Sequence, residues 1–270
     1  MAAELPTSAA IAVEAYLGSL DRHPNHGVDG VYVCGSIALG AFEEGRSDVD
    51  LVAVGEAAPD ITTIEAIGRE VDAAVAGPPL STLYVEARQL AGPAAGLVDV
   101  PFWNGGELEL STTAANPVEW HVLAHHGIAL RGPAPSTLDV HLDRGDLVAW
   151  NLANLDSYWA GLAEMIETAD DERNARAGAG FVEWMVLGPP RLHRTIAIGD
   201  VVSKRAAGLY ARERFGDRWA ALIDEALALR TDDAARAADQ PSAARTREVA
   251  AFMRLVIADA HAVAGADAGR

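Results

Sequence analysis

The spacing of apolar residues changes part-way along this 270-residue chain, near Pro117. Before Pro117, short β-rich apolar runs alternate with stretches of 3.6-residue periodicity, whereas helical periodicity dominates after it. Strands mixed with helices, followed by helices alone, indicate two domains in series. We therefore predict an α+β chain, with a small mixed sheet and its helices over residues 1–135 and an all-α helical bundle over residues 136–270.

The individual elements are predicted from apolar runs, helix caps and breakers. In the first half they are strands at 31–34, 49–54, 81–87 and 107–110 and helices at 7–20, 36–41 and 61–76. From Pro117 onward they are helices at 120–130, 146–168, 181–187, 190–198, 203–214, 217–229 and 242–264. The breaker-rich segment 131–136 is the predicted linker.

The charge of the chain limits the class of partner. A formal net charge of −18 repels nucleic-acid phosphates, so we expect no nucleic-acid partner. The same charge favours a small, cationic acceptor, although it is equally typical of an ordinary soluble protein. The N-terminal segment lacks the basic residues of a signal peptide, and no apolar run reaches about 18 uncharged residues. We therefore expect a cytoplasmic monomer that does not enter a membrane.

One segment has the features of a ligand site: Gly35 and Ser36, followed eleven residues later by Ser47, Asp48 and, after one valine, Asp50. Gly35 permits a tight turn against a ligand, and Ser36 opens a predicted helix whose N-terminus can bind phosphate. Asp48 and Asp50 lie two apart on a predicted strand, so their side chains share a face. Mg²⁺ is held by one or two carboxylates plus phosphate oxygens. The pattern therefore indicates Mg²⁺ at the two aspartates beside a nucleoside triphosphate, and hence phosphoryl or nucleotidyl transfer.

Glu86 adds a third carboxylate. It ends the run Ser-Thr-Leu-Tyr-Val-Glu, where packing does not explain an acid. A carboxyl group in such surroundings has its pKa raised by burial and can take a proton from a substrate hydroxyl. We therefore predict that Glu86 is the general base. The alternatives are a solvated acid on an edge strand for Glu86 and a chance surface pair for Asp48 and Asp50.

Two motifs carry a resemblance to a known family. Residues 35–54, GSIALGAFEEGRSDVDLVAV, resemble the GS-x-A-x-G…SD-x-D-L motif of the DNA polymerase β-like nucleotidyltransferases. The second half is similar to the aminoglycoside adenylyltransferases that modify streptomycin and spectinomycin. Their helical domain carries an Arg, then T-x-x-x-G, then S-K-x-x-A. The matching residues here are Arg191, Thr195, Gly199, Ser203, Lys204 and Ala207.

The resemblance spans about residues 10–230 and implies a polymerase-β-like domain whose cleft is closed by the helical domain. It implies ATP as co-substrate, Mg²⁺ on the two aspartates and Glu86 as base. The residues that it places on the nucleotide are Gly35, Ser36, Ser47, Arg191 and Lys204. The position of Lys204 is consistent with this assignment. A cation in the first turn after the N-cap Ser203 gains nothing from the helix dipole, so a triphosphate partner would explain its presence. An ordinary surface lysine is the alternative.

The chain departs from the family pattern on the substrate side. Gly188-Pro189-Pro190 interrupts a helix that should be continuous, so we expect the helix to restart at Pro190. Phe181, with Glu183 nearby, stands where the antibiotic enzymes have acidic residues. The acidic stretch 170–172 is a candidate substitute for binding ammonium groups.

The function expected from these observations is transfer of AMP from ATP to a hydroxyl of a small molecule, first of all an aminoglycoside. One alternative is the same chemistry on another acceptor, such as another antibiotic, a metabolite or a protein side chain. The other is a regulatory or antitoxin-type protein that binds a nucleotide without turnover. Intact Asp48, Asp50 and Glu86 argue against that loss of catalysis.

Overall fold

The computed structural model describes residues 5–240 and 242–268. They form two compact units, of which the first ends at Asp146 and the second begins at Leu147, rather than dividing at the predicted residue 135. The first unit contains a six-stranded sheet with helices, and the second is helical. The predicted α+β class is therefore confirmed.

The sheet of the first unit has the strand order β5-β4-β3-β2-β1-β6. Only β2 and β3 pair in parallel; the other neighbours are antiparallel. The strands are β1 (Gly30–Val33), β2 (Val49–Gly55), β3 (Leu80–Glu86), β4 (Val100–Asn104), β5 (Glu107–Ser111) and β6 (Ile128–Arg131). All four predicted strands are present, and β4 and β6 are additional.

The helices of the first unit place a core on one face of this sheet. They are α1 (Thr7–Arg22), α2 (Gly35–Ala38), α3 (Ile61–Ala74), α4 (Ala87–Leu90) and α5 (Pro117–His126). Apolar residues of α1 and α3 pack against alternate strand residues, including Val33, Val49 and Leu51, which are buried. Because side chains alternate along a strand, Asp50 between Val49 and Leu51 points away from this core. The core thereby orients the candidate site.

The predicted helix 120–130 is wrong at its end. Helix α5 stops at His126, and the backbone of Gly127 is extended while its N–H still donates to the Leu123 carbonyl (3.1 Å). The next residues form β6, in which Ile128 pairs with Val33 of β1. Pairing satisfies the backbone groups along the outer edge of β1, a tertiary gain that helical periodicity does not reveal.

The second unit is built from long helices. They are α6 (Arg144–Asn154), a π-helical turn (Leu155–Trp159), α7 (Ala160–Thr168), α8 (Asp171–Asn174), α9 (Ala179–Ile198), α10 (Lys204–Thr231), α11 (Asp233–Ala237) and α12 (Ala243–Ala268). Among the described residues, the stretch Ala243–Ala266 is long and apolar enough to cross a membrane by composition. Its Val249, Phe252 and Val256 are buried in the core of this unit, as in the core helix of a water-soluble fold.

Helix α9 runs unbroken through the three residues at which a restart was expected. Gly188, Pro189 and Pro190 are all buried inside it. A Cβ atom on Gly188 would lie 2.0 Å from the Trp159 ring, so the glycine admits the indole against the helix backbone. A proline inside a helix costs about 3 kcal/mol, and we attribute the continuity of α9 to this close packing, which offsets that cost.

A buried polar network joins three helices of the second unit. His193 of α9 is 0% exposed. Its Nε2 lies 2.7 Å from Asp259 of α12, and its Nδ1 lies 2.9 Å from the Tyr210 hydroxyl of α10. Arg214 also pairs with Asp259 (3.0 Å). Burial lowers the pKa of His193 below its usual value, although the Asp259 carboxylate opposes that shift.

We expect the stability of the second unit to fall as the pH drops below about 6.5, the usual histidine pKa. Unfolded His193 takes up a proton there, whereas the folded histidine does so only at a lower pH, so the unfolded state is favoured. Urea unfolding between pH 8 and pH 5 measures this effect. His193→Gln should be less stable at pH 8 by about 1–3 kcal/mol and show a weaker pH dependence. If the wild type and His193→Gln lost stability equally between pH 8 and pH 5, His193 would not be the group responsible.

Candidate active site

A close backbone approach links Gly35 to Asp50. Gly35 follows β1 with a φ of +54°, and a Cβ atom there would lie 1.8 Å from Asp50 Oδ2. The Cys34 N–H donates to the Asp50 carbonyl (2.9 Å), which extends the pairing of β1 with β2 up to this turn. Only glycine therefore allows the chain to turn here while the Asp50 carboxylate lies against it.

The two predicted metal-binding aspartates lie at the start of β2. Asp48 is exposed directly before the strand, and Asp50 is half-buried within it. Asp48 also lines an open cavity of about 520 Å³, together with Arg46 and Ser47. Buried Val49 separates the two acids, so both carboxylates stay out of the core. Asp48 thus lies in an open cavity with a basic side chain, and Asp50 lies against the Gly35 turn.

The predicted phosphate-binding serines differ in their surroundings. Ser36 Oγ is buried and has no hydrogen-bond partner among the described residues. Ser47 Oγ instead accepts a bond from the Glu43 N–H (3.0 Å) and closes the turn before Asp48. Helix α2 is a single turn, Gly35–Ala38, shorter than the predicted 36–41, so little helix dipole is available. The orphaned Ser36 hydroxyl is thus the group that a bound phosphate would satisfy.

Glu86 does not lie with the aspartates. Asp50 pairs with Ser81 in the parallel β2–β3 register, and Glu86 lies five residues further along β3, opposite Gly55. At about 3.3 Å per residue, that offset separates the two positions by roughly 16 Å. An odd offset also turns Glu86 to the other face of the sheet. The prediction that Glu86 is the base beside Asp48 and Asp50 is therefore corrected. Periodicity placed Glu86 on a strand but could not reveal how β3 is aligned with β2.

The surroundings of Glu86 also oppose its use as a base. The Arg88 guanidinium donates to its carboxylate and lowers the pKa of Glu86, the reverse of the predicted rise. Its backbone N–H donates to Gln89 Oε1 (2.8 Å), so Glu86 starts the short helix α4. Its role in the structure is to cap that turn and pair with Arg88.

The first unit contains another candidate carboxylate, Glu119, on helix α5. Burial raises the pKa of the Cys34 thiol well above its usual value, and the charges of Glu119 and then Asp50 raise it further. The charges of both carboxylates therefore act on Cys34, which precedes the Gly35 turn. Helix α5, which carries Glu119, packs on α2. An acidic residue in a first helical turn is ordinary, so no sequence signal singled out Glu119.

In the second unit, the Arg, Thr, Gly and Ser-Lys residues of the sequence motif build the connection from α9 to α10. Gly199 ends α9 with a φ of +77°, and Thr195 Oγ1 donates to the Asp200 carbonyl (3.2 Å). Arg191 Nε donates to the Val202 carbonyl (3.2 Å). Ser203 caps α10 by accepting from the Ala206 N–H (3.2 Å). The motif thereby places Arg191 and Lys204 at one short connection.

The acidic residues considered for ammonium binding are already paired with arginines. Glu183 is buried and binds Arg230 (2.8 Å) as well as Arg236. Asp171 pairs with Arg247 and Glu172 with Arg176, and the Asp170 side chain caps α8. Of these acids only Glu183 forms a buried ion pair between helices, whereas the pairs of Asp171 and Glu172 lie at the surface and contribute little to stability.

Comparison with known proteins identifies the second unit. Residues 154–258 match the family model described as "Aminoglycoside adenylyltransferase, C-terminal domain". No curated protein matches the chain in sequence. The fold is similar to that of spectinomycin adenyltransferase AAD(9) from Enterococcus faecialis, whose crystal structure contains ATP and spectinomycin. The TM-score is 0.64 at 12% sequence identity, and the match covers 91% of this chain and 98% of that one.

The fold and the domain match together define the class of this chain: it is an enzyme, a nucleotidyltransferase. Within that class it is similar to the aminoglycoside adenylyltransferases, whose C-terminal domain its helical unit matches. The resemblance predicted from the two sequence motifs is therefore confirmed.

We expect Gly35→Ala to disrupt this site. The added methyl group would meet the Asp50 carboxylate. The alanine would also have to adopt a positive φ, at a cost of about 1–3 kcal/mol. Gly40→Ala is a matched control, because Gly40 also has a positive φ (+63°) but no atom within 4 Å of the position that a methyl group would take. Denaturant unfolding should show a loss of stability in both variants, larger in Gly35→Ala, and titration with Mg²⁺–ATP should show lost affinity only in Gly35→Ala. Equal losses of affinity would contradict the role of the contact.

Proposed function

We propose that this enzyme transfers AMP from ATP to a hydroxyl group of a small molecule, with Mg²⁺ held by Asp48 and Asp50. The observation that carries the proposal is the Gly35–Asp50 contact, which places a carboxylate directly at the turn that presents Ser36. The helical domain match and a fold shared with an enzyme solved with ATP support the same chemistry.

The residues at the start of β2 fit a magnesium ion. Asp48 and Asp50 supply carboxylate oxygens, which Mg²⁺ prefers, and leave its remaining positions to water and phosphate oxygens. The unpartnered Ser36 hydroxyl is suited to bind a phosphate oxygen at the same turn. When bound, Mg²⁺ neutralises charge that develops on the triphosphate as pyrophosphate departs.

The side chains have separate tasks in this proposal. Ser36 donates a hydrogen bond to the triphosphate, and the lack of a Cβ at Gly35 lets the backbone approach it. Arg191 and Lys204 lie at the α9–α10 connection of the helical unit, where they would offer positive charge to a phosphate group. Ser47 keeps Asp48 in place through the turn that it closes.

The acceptor proton needs a base, and we assign that role to Glu119. The acceptor oxygen attacks the α-phosphorus, the bond from that phosphorus to the bridging oxygen of pyrophosphate breaks, and the acceptor proton passes to the Glu119 carboxylate. Its support is the packing of α5, which carries Glu119, on α2, which begins at the Gly35 turn, together with the effect of the Glu119 and Asp50 charges on the pKa of Cys34. Glu86 is distant from Asp50 and engaged with Arg88.

An aminoglycoside is the first candidate acceptor. The family of the helical domain and the net charge of −18, which attracts polycations, both favour it. A different acceptor is favoured by one observation: Glu183, the acid nearest to the position where the antibiotic enzymes have acidic residues, is buried and paired with Arg230 and Arg236. The same transfer to a less cationic molecule is therefore the second candidate.

Substitution of single carboxylates tests the catalytic assignment. Asp50→Asn should abolish pyrophosphate release, because it removes a metal ligand. Glu119→Gln should lower kcat by about 10²- to 10⁴-fold with little change in ATP affinity, the usual range for loss of a general base. Glu86→Gln is the matched control and should keep near-normal turnover. If Glu86→Gln lost activity and Glu119→Gln kept it, the assignment would be reversed.

A panel of acceptors tests the substrate class. Pyrophosphate release is measured with ATP, Mg²⁺ and one compound at a time, and we expect release with spectinomycin or streptomycin. Release only with uncharged hydroxyl compounds would support the second candidate. Binding of ATP without release for any acceptor would indicate a regulatory nucleotide-binding protein and contradict the proposed transfer.

A further inference from the structure

The first unit has a second cavity, at the carboxyl ends of the parallel strands β2 and β3. Its volume is about 340 Å³, the size of a site for a small organic molecule. The loop after β2, the end of β3, the short helix α4 and the strands β4 and β5 all contribute to its wall. The lining residues are Ala58, Pro59, Ile61, Tyr84, Glu86, Gln89, Asp99, Val100, Pro101 and Leu110.

Much of this wall is apolar and is not covered by the rest of the protein. Ile61 is 41% exposed and Leu110 is 55% exposed, while Pro101 is half-buried. Pro101 pairs with Leu110 in the β4–β5 register, so their side chains lie on one face of the sheet. A ligand with an apolar body that covered these residues would be stabilised by the hydrophobic effect.

The charged residues that line the cavity are both acidic. They are Glu86 and Asp99, and the lining includes no lysine or arginine. In the part of the chain that the structure describes, Asp99 is the only residue other than glycine with a positive φ (+54°), a conformation that recurs at ligand sites. A cleft lined by charges of one sign concentrates ions of the opposite sign. The cavity therefore favours a positively charged ligand.

The Glu86 carboxylate is fixed in the cavity wall, whereas the arginine that pairs with it lies in solvent. The Glu86 side chain is only 12% exposed, and the Ala58 N–H donates to its carboxylate. The Arg88 side chain, which donates to Glu86 Oε2, is 79% exposed. An ion pair with so exposed a partner contributes little free energy. A ligand cation can therefore replace Arg88 at Glu86.

We propose that this cavity binds a small organic amine, with its ammonium group on Glu86 and its apolar body against Ile61, Pro101 and Leu110. The proposal gives Glu86, an acid that packing does not explain, a partner of opposite charge. A polyhydroxylated aminoglycoside lacks such an apolar body, so the ligand expected here differs from the first candidate acceptor.

The cavity is separate from the site proposed for AMP transfer. Glu86 lies roughly 16 Å from Asp50 along the sheet and on its other face. The inference therefore stands whether or not ATP binds at the Gly35 turn.

The test uses benzylammonium as the probe, because it joins one positive charge to one apolar ring. Ligand-observed NMR titration of the full chain compares it with benzyl alcohol, which has the ring without the charge, and with methylammonium, which has the charge without the ring. We expect benzylammonium to bind at least about ten-fold more tightly than either, since binding uses both the carboxylate and the apolar wall.

Substitutions in the ion pair should change the affinity in opposite directions. Glu86→Gln should weaken benzylammonium binding by about ten- to a hundred-fold, because it removes the charged acceptor. Arg88→Ala should strengthen it, because it removes the competing guanidinium. Glu65→Gln is the matched control and should leave the affinity unchanged, since Glu65 also pairs with an arginine, Arg69, but does not line the cavity.

Leu110→Ser separates the apolar wall from the charge. It should weaken the binding of benzylammonium and leave that of methylammonium unchanged. Circular dichroism and thermal unfolding of each variant establish that the fold is intact.

Four outcomes would overturn the inference. The first is no binding of benzylammonium to the wild type, and the second is equal affinity for benzyl alcohol, which would indicate a merely apolar groove. The third is equal weakening by Glu65→Gln and Glu86→Gln, which would indicate general attraction of a cation to a protein of net charge −18. The fourth is weaker binding in Arg88→Ala, which would show that the ammonium group does not replace Arg88. Release of pyrophosphate tests the proposed function separately from all four.

Discussion

The contact between the Gly35 backbone and the Asp50 carboxylate is the constraint on which the candidate site depends. A Cβ atom at Gly35 would lie 1.8 Å from that carboxylate, so the acid on β2 can occupy its position only if the turn after β1 has a glycine there. The antiparallel β1–β2 pairing holds the two segments in register. The apolar residues on either side of Asp50 anchor its strand in the core. The acid proposed to bind a metal is thus held next to the turn proposed to bind phosphate.

The helical unit uses a different means to hold its charged residues. Arg191 and Lys204 lie at the α9–α10 connection. Hydrogen bonds from Arg191 and Thr195, together with the Ser203 cap, fix the conformation of this connection. Helix α9 is continuous through its two prolines, and we attribute this to the close packing of Trp159 at Gly188. The buried His193–Asp259 pair then ties α9 to α12. Packing and buried polar contacts together support a site rich in cations within a strongly acidic chain.

Much of the fold followed from local pattern. Period-two and period-3.6 spacing predicted the two units, four of the six strands and most helices. Capping residues predicted where α10 begins, because a cap acts within one turn of the chain. β4 and β6 were missed because their stability comes from pairing with distant strands. The prolines of α9 misled the prediction because their local cost is offset by a residue about thirty positions away.

The sequence by itself determined which candidate functional groups are present. They are two aspartates separated by one residue, a Gly-Ser turn before them, and an Arg and a Ser-Lys pair in the helical half. These are local patterns, and local physical chemistry is sufficient to interpret them. The tertiary structure alone decided which other groups join them. The β2–β3 register carried Glu86 away from Asp50, and the packing of α5 on α2 brought the helix that carries Glu119 against the helix that begins at Gly35. The reason is that strand register and helix packing depend on contacts between residues far apart in the chain.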